Sequence, residues 1–155
     1  MRETLFNWLG QSLDGLSCLD LFAGSGALGF EAASRGAARV VMVEQDRAVF
    51  ESLRKTREAI GASSVEVVLD DAFAYLRKAQ SFDVVFLDPP FRQNALPAVF
   101  RQLKTAPGLR VYVESSEPFV PGEPWRELKR ARAGQVSYQL FEWRSDDQGG
   151  LPGNV

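Results

Sequence analysis

An acid, two prolines and an aromatic residue stand together at Asp88-Pro89-Pro90-Phe91, directly after the apolar run 84–87. Four apolar residues between two aspartates predict a buried strand of a parallel sheet, and the prolines must end it because proline donates no ladder hydrogen bond. A carboxylate, a rigid backbone and a ring are thus expected at the carboxyl end of a strand, where open α/β sheets bind ligands. The same residues would also serve as a plain turn with Phe91 in the core.

A glycine motif, Gly24-x-Gly26-x-x-Gly29, follows a second apolar run and opens a segment with a helical pattern. Glycines at this spacing permit a tight turn and a close approach of the backbone to a ligand. Glu44 stands 20 residues after Gly24, at the end of the next predicted strand. A carboxylate at that point can accept hydrogen bonds from both hydroxyls of a ribose. The pattern favours a nucleotide-like cofactor over a glycine-rich turn without a ligand.

The glycine motif suits a dinucleotide as well as S-adenosylmethionine, and two observations favour the latter. Asp20 stands four residues before Gly24. Its carboxylate would attract a sulfonium and an ammonium group but repel a pyrophosphate. A dinucleotide also needs a second mononucleotide site, for which a chain of 155 residues leaves little room.

The elements that must position these residues alternate between strands and helices, and two strands close the chain. The predicted strands are Ser17–Phe22, Arg39–Glu44, Val65–Leu69, Val84–Leu87 and Leu109–Glu114, with a hairpin of Lys129–Ala133 and Gln135–Trp143 around Gly134. The predicted helices are 2–9, one ending near Ser34, 46–60 with Asp46 as its cap, one starting at Asp70-Asp71, and 96–103. This order predicts an α/β fold with a doubly wound, mostly parallel seven-stranded sheet and an antiparallel C-terminal hairpin. Alternation of Val136, Tyr138 and Leu140 with polar residues predicts a strand near a sheet edge.

Composition restricts the class of protein and of reaction. Of the 155 residues, 45% are hydrophobic and 25% are charged, which is typical of one soluble domain, here 1–144, with a polar tail at 145–155 predicted to be disordered. No apolar run would span a bilayer, and no secretory signal is present. Without histidine and with the single Cys18, the sequence excludes histidine-dependent triads, metal sites built on histidine or cysteine, and an internal disulfide, and it fits a reducing cytoplasm. A net charge of −2 requires a nucleic-acid partner to be met by a local basic patch.

Several motifs together carry a family resemblance. The block from Asp20 to Gly29, Val43-Glu44, Asp71-Ala72, Phe82-Asp83 and Leu87–Phe91 resemble the successive motifs of class I S-adenosylmethionine-dependent methyltransferases, which have a Rossmann-like fold. Arg2-Glu-Thr-Leu-Phe-Asn7, Val113-Glu-Ser115 and Gly134-Gln-Val-Ser-Tyr138 narrow the resemblance to the RsmD family, over about residues 1–144. Those enzymes methylate the exocyclic N2 of a guanine in small-subunit ribosomal RNA. In that family a basic segment precedes the first motif, which here directly follows Met1.

The resemblance implies a set of site residues. Asp20, Gly24 and Gly26 would hold the methionine moiety, Glu44 the ribose, and Asp71 with the Ala72 backbone the adenine. The full cofactor site would comprise Asp20, Phe22, Gly24, Ser25, Gly26, Glu44, Gln45, Asp71, Ala72 and Asp88. The catalytic residues would be Asp88, Pro89 and Phe91. No metal is expected.

An exocyclic aromatic amine is a poor nucleophile, because its lone pair is delocalised into the ring, and it carries no surplus proton at pH 7. The Asp88 carboxylate and the Pro89 carbonyl could each accept one N–H and so aim the lone pair at the methyl group, while Phe91 stacks on the base. A base inside a duplex would have to be flipped out or presented unpaired. Glu114, at the end of the fifth predicted strand, is interpreted as a structural or supporting residue.

The expected partner is small-subunit ribosomal RNA, within a ribosomal particle, and the protein is expected to be a monomer without membrane contact. Arg92, Arg126, Lys129, Arg130 and Arg132 could contact phosphates, although each singly is as well explained as a solvated charge. Three alternatives stay open. They are an adenine-N6 methyltransferase on DNA or RNA, a nicotinamide-dependent oxidoreductase, and a cofactor-binding remnant without catalytic activity.

Overall fold

The structure, a computed structural model, describes residues 2–89 and 94–144 as a seven-stranded sheet covered by helices on both faces. The strands are β1 (Ser17–Asp20), β2 (Arg39–Glu44), β3 (Val65–Leu69), β4 (Val84–Leu87), β5 (Arg110–Ser115), β6 (Trp125–Ala133) and β7 (Val136–Trp143). The helices are α1 (Arg2–Trp8), α2 (Ala27–Ser34), α3 (Arg47–Ile60), α4 (Ala72–Lys78) and α5 (Leu96–Gln102). None of these helices is both long and apolar enough to cross a membrane.

The strand order is β3-β2-β1-β4-β5-β7-β6, with the first five strands parallel and β7 antiparallel to both β5 and β6. The predicted α/β fold with an antiparallel hairpin is confirmed. Continuous apolar runs make the inner strands, because a parallel sheet is covered on both faces. All four residues of β4 and the run 40–43 of β2 are buried, as is Cys18.

Two apolar clusters fill the two faces of the sheet. One joins alternate residues of the inner strands, such as Leu19 and Val85, to α4 and α5. The other joins the intervening residues, such as Met42 and Phe86, to α1, α2 and α3. Because side chains alternate between faces, every inner strand contributes to both clusters. The register of the sheet is therefore tightly specified.

Helix ends follow the predicted capping chemistry. The Asp46 side chain accepts a hydrogen bond from the Val49 amide, and Gly61 ends α3 in the left-handed region with φ of 68°. Asp71 caps α4 by accepting from the Phe73 and Ala74 amides. The two caps lie two residues after the ends of β2 and β3, so that α3 and α4 start at the carboxyl edge of the sheet.

Three predictions about strands were wrong in detail. β1 ends at Asp20 rather than at Phe22, since the chain leaves the ladder to form the glycine loop. β6 begins at Trp125 rather than at Lys129, because it pairs along the whole of β7. β7 does not alternate between buried and polar positions, because it lies inside the sheet between β5 and β6, and Ser137 and Gln139 on it are buried. The tail predicted at 145–155 lies outside the described residues.

The buried Gln139 side chain fastens the proline-rich connection between β5 and β6 onto the sheet. Its Oε1 accepts from the Phe119 amide at 2.8 Å, and its Nε2 donates to the Phe119 carbonyl at 3.0 Å and to Glu127 Oε2 at 2.9 Å. The Phe119 ring in turn packs on Phe100, with 4.9 Å between the centroids. An amide suits this position because it carries an acceptor and a donor side by side, which match the backbone amide and carbonyl of one residue.

Replacing Gln139 with Leu should therefore lower the free energy of unfolding by roughly 2–3 kcal/mol, since it leaves the Phe119 amide and carbonyl without their partner and removes one of the donors to Glu127. Urea unfolding measures the change. Gln102→Leu, at an exposed position at the end of α5, is the matched control. Equal losses in the two variants would contradict the role given to Gln139.

Candidate active site

The carboxyl ends of β2, β4 and β5, together with the loop after β1, border one cavity of about 580 Å³, a size typical of small-ligand sites. Its walls come from four parts of the chain: the glycine loop after β1, the end of β2 with the start of α4, the end of β4, and the end of β5 with the turn before β7. These are the edges at which open α/β sheets bind ligands.

The glycine loop and the acid at the end of β2 are held together by hydrogen bonds. The Gly24 amide donates to Glu44 Oε1 at 3.0 Å, and the Asp46 amide donates to Glu44 Oε2 at 3.0 Å. Both oxygens of Glu44 are thereby fixed, and each keeps lone-pair capacity for further donors, such as ribose hydroxyls. Gly24 and Glu44 both line the cavity.

The other two glycines of the motif have packing reasons. Gly26 has φ of 84°, and a Cβ there would lie 2.7 Å from side-chain atoms of Phe30, Met42 and Leu53. A Cβ on Gly29 would lie 2.9 Å from Met42 Cγ and 3.2 Å from Asp20 Oδ2. The glycines therefore let α2 begin directly against β1 and β2, which brings the backbone of the loop to the cavity.

Asp20 lies behind the loop and is almost fully buried, with 2% of its surface exposed. The Gly29 amide donates to its Oδ2 at 3.1 Å. The pKa of Asp20 is raised to about 7, mainly by burial. The hydrogen bond from Gly29 lowers this pKa, and the negative charges of Asp88, Glu44 and Glu114 raise it. A cationic group in the cavity would stabilise the ionised form of this carboxyl.

Asp88 and Pro89 form the wall at the end of β4. The Asp88 carboxylate is reached by solvent through the cavity, yet protein surrounds its other sides, and this desolvation with the nearby Glu114 charge raises its pKa to about 6. Asp88 is therefore predominantly ionised at pH 7 and above, and can accept hydrogen bonds. Phe91 lies outside the described residues, so its stacking role stays a prediction.

The start of α4 forms the wall opposite the glycine loop. Asp71 and Ala72 line the cavity there, together with Phe73. Asp71 Oδ2 already accepts from the Phe73 and Ala74 amides at 3.0 Å each. This residue therefore has a structural task as helix cap besides any contact with a ligand.

Most of the predicted site residues meet in this one cavity. Those that line it are Phe22, Gly24, Glu44, Gln45, Asp71, Ala72, Asp88 and Pro89. Asp20, Ser25 and Gly26 do not line it. Asp20 supports the loop from behind, Ser25 Oγ accepts from the Ala27 amide at 3.4 Å, and Gly26 is the residue before α2.

Sequence reasoning missed the wall made by Ser115, Ser116, Gln135 and Val136, and it did not place Glu114 in the cavity. The signal was available in the strand order. Because β7 runs antiparallel to β5, with Ser115 opposite Ser137, the turn that precedes β7 must lie at the carboxyl edge of the parallel strands.

The arrangement offers hydrogen-bond acceptors and negative charge, which suits a ligand that carries positive charge or N–H groups. Among residues 2–89 and 94–144 no three side chains form a group that could hold a metal ion.

Comparisons with known proteins agree on one family. A family model described as "Conserved hypothetical protein 95" matches residues 1–142. "Ribosomal RNA small subunit methyltransferase D" of Haemophilus influenzae is 40% identical over 153 residues, which cover 92% of this chain and 79% of that protein. The solved structure "Putative methyltransferase yhhF from Escherichia coli" matches with a TM-score of 0.86 and 40% identity over 93% of this chain and 86% of that one. An RNA methyltransferase from Salinibacter ruber in complex with S-adenosyl-L-homocysteine shares the fold, with a TM-score of 0.71 and 23% identity over 93% of this chain and 90% of that one.

The raised pKa of Asp20 predicts a pH-dependent effect of Asp20→Asn on stability. The folded protein keeps the Asp20 proton up to about pH 7, whereas an unfolded aspartate loses it near 3.8, so wild-type stability falls as pH rises between these values. The stability of Asp20→Asn relative to wild type should therefore increase by roughly 1–3 kcal/mol from pH 5 to pH 8.

Urea unfolding at the two pH values, without added ligand, measures this difference. Gln102→Leu, which removes no titratable group, serves as the control, and its difference from wild type should be the same at both pH values. A constant difference for Asp20→Asn as well would mean that Asp20 does not change its protonation state in this range.

Proposed function

The chain belongs to the Conserved hypothetical protein 95 family, that of the RsmD enzymes, and from this premise we propose that it methylates the exocyclic N2 amine of a guanine in small-subunit (16S) ribosomal RNA. It is an S-adenosylmethionine-dependent RNA methyltransferase with a Rossmann-like fold. The observation that carries the proposal is that Asp88 and Pro89 share one cavity with the glycine loop and Glu44.

The residues of the cavity fit this cofactor by their charge and their hydrogen-bonding groups. S-adenosylmethionine supplies an electrophilic methyl group on a cationic sulfonium. The Glu44 carboxylate, already oriented by two backbone amides, would accept from the ribose hydroxyls. Asp20, whose pKa is raised by burial and further by its acidic neighbours, would favour the sulfonium and the ammonium together with those neighbours. Asp71, Ala72, Phe22 and Gln45 would surround the adenosine part.

The end of β4 would hold the base. The Asp88 carboxylate and the Pro89 carbonyl would each accept one N–H of the exocyclic amine and aim its lone pair toward the methyl group. Because the amine is neutral, no strong base has to remove a proton before transfer, and the surplus proton leaves afterwards. The work of these residues is positioning, together with stabilisation of the positive charge that develops on the amine.

Exposed basic side chains on the edge strand β6 would contact the RNA backbone. Arg126, Lys129 and Arg132 are exposed there, and Arg132 donates to the carbonyl of Ser116, a residue of the cavity wall. Arg130 instead holds both oxygens of Glu127, at 2.8 and 2.9 Å. Arg132 lies at the cavity end of β6 and Lys129 near its middle, whereas Arg126, opposite Glu142, lies at the far, amino edge of the sheet. The cations nearer the cavity would let an acidic protein hold phosphates locally, and Arg126 is not placed to join them. Arg92, also considered for this role, lies outside the described residues.

We place the substrate within a ribosomal particle and the enzyme, as a monomer without membrane contact, in the cytoplasm. The acidic isoelectric point, about 5.3, disfavours binding of naked RNA by charge alone. The adenine-N6 alternative uses the same acid-Pro-Pro-aromatic motif, and the identity of the methylated base separates it from the proposal.

Asp88→Ala should lower methyl transfer at least about a hundredfold, because the amine loses the acceptor that orients it, while the affinity for S-adenosylmethionine stays within a few fold of wild type. Asp88→Asn keeps one acceptor oxygen, so its rate of methyl transfer should lie between the rates of wild type and Asp88→Ala. Wild-type transfer should rise with pH through about 6, where Asp88 becomes ionised.

Small subunits from cells that lack the enzyme, incubated with radiolabelled S-adenosylmethionine and digested to nucleosides, give both the rate and the base. Calorimetric titration gives cofactor affinity. Label in N6-methyladenosine would contradict the proposed substrate, and undiminished transfer by Asp88→Ala would contradict the role of Asp88.

Replacing Lys129 and Arg132 with the neutral residue Ser should weaken binding to small subunits. It should also make the negative slope of log affinity against log salt less steep, by roughly 0.7–0.9 for each phosphate contact removed. Filter binding over a series of salt concentrations measures both quantities. Arg54→Ser on α3, which carries an exposed cation paired with Glu51, is the control and should leave the slope unchanged. Equal slopes for all variants would show that β6 does not contact phosphates.

A further inference from the structure

Glu114 lies beside Asp88 at the carboxyl edge of the sheet. Leu87 of β4 pairs with Val113 of β5 in parallel register. Asp88 directly follows Leu87, and Glu114 directly follows Val113. Neighbouring strands are about 4.8 Å apart. Both side chains line the cavity, and the charge of Glu114 contributes to the raised pKa of Asp88. Two carboxylates therefore face the place where the base would lie.

One oxygen of Glu114 is fixed by its own strand. The Tyr112 hydroxyl donates to Glu114 Oε2 at 2.9 Å. Tyr112 is buried and held by ring contacts with Phe86 and Tyr138, at centroid distances of 6.5 and 6.4 Å. No donor among the described residues bonds to Glu114 Oε1, so this oxygen is available to a ligand in the cavity.

We infer that Glu114 selects the base by accepting the hydrogen on the ring nitrogen next to the reacting amine, so that a purine with an N1–H is bound in preference to one without it. The inference rests on the proposed function and names a residue that determines its substrate. It assigns Glu114 a contact with the base, beyond the structural role that the sequence suggested.

The chemistry of the two purine edges supports this assignment. In guanine the N1–H and the N2 amine stand side by side, so the edge presents neighbouring donors to two carboxylates. In adenine the N1 beside the N6 amine is an acceptor. Its lone pair would face the Glu114 oxygen, which is also an acceptor, with no hydrogen between them to form a bond. Acceptors left unpaired in a desolvated site reject a wrong substrate strongly.

Glu114→Gln distinguishes base selection from a merely structural role. The Gln oxygen can accept from the Tyr112 hydroxyl as Glu114 does, and this bond turns the amide nitrogen toward the cavity. The side chain then donates where Glu114 accepts. The change should favour a base whose N1 carries no hydrogen, and it leaves the support of Tyr112 intact.

The experiment uses small subunits reconstituted with either guanosine or 2-aminopurine ribonucleoside at the position that the wild-type protein methylates. Both bases carry the 2-amine, but N1 of 2-aminopurine is an acceptor. Wild type should prefer guanosine, and Glu114→Gln should reduce the ratio of the two kcat/KM values by about tenfold or more. Glu142→Gln, with the same charge change on β7, is the matched control and should keep the wild-type ratio.

Each outcome decides a separate question. An unchanged ratio in Glu114→Gln, whether activity is retained or falls equally on both bases, overturns the base-selecting role and leaves the proposed function standing. Wild-type transfer to adenosine rather than to guanosine overturns the proposed function itself, and with it this assignment.

Discussion

Burial of a carboxyl group at one edge of the sheet, with further acids beside it, is the constraint on which the site depends. Asp20, Glu44, Asp88 and Glu114 come from four adjacent strands, and the last three all raise the pKa of Asp20. Their proximity follows from the register, which places the strand ends side by side. This arrangement costs stability in the protein alone, and a cation in the cavity offsets that cost. The same acids therefore lower the stability of the protein without a ligand and raise its affinity for a positively charged ligand.

The glycine loop allows an acid to be buried directly beside the cavity. Without a Cβ at Gly26 and Gly29, α2 can start against β1, so that Asp20 is buried while the backbone of Gly24 still reaches the cavity. The Gly29 amide satisfies one oxygen of Asp20, and the Gly24 amide satisfies one oxygen of Glu44. Backbone amides of the loop and of the first turn of α2 thus orient the acids, while solvent access through the cavity keeps Glu44 and Asp88 available for hydrogen bonds.

Local chemistry in the sequence predicted the parallel half of the fold well, because continuous apolar runs, Asp46 and Gly61 each have few alternative roles. The glycine motif and Asp88 likewise identified the cavity. The antiparallel half was predicted less well, since the burial of Gln139 depends on where β7 enters the sheet and on the segment that covers it. Position in a sheet is a non-local property, and polar residues can be buried there once a partner such as the Phe119 backbone is supplied. For the same reason the Gln135 wall could not be assigned from its own neighbourhood in the sequence.

The turn that precedes β7 has a consequence for how this fold diversifies. It forms one wall of the cavity at Gln135, while the strands that it connects pair along their whole length from Ala133 and Val136 onward. A tight turn of this kind can be lengthened or rewritten at little thermodynamic cost. This wall of the cavity can therefore change during evolution while the glycine loop and Glu44 stay as they are. One scaffold could in this way acquire new targets without rebuilding the part that holds its cofactor.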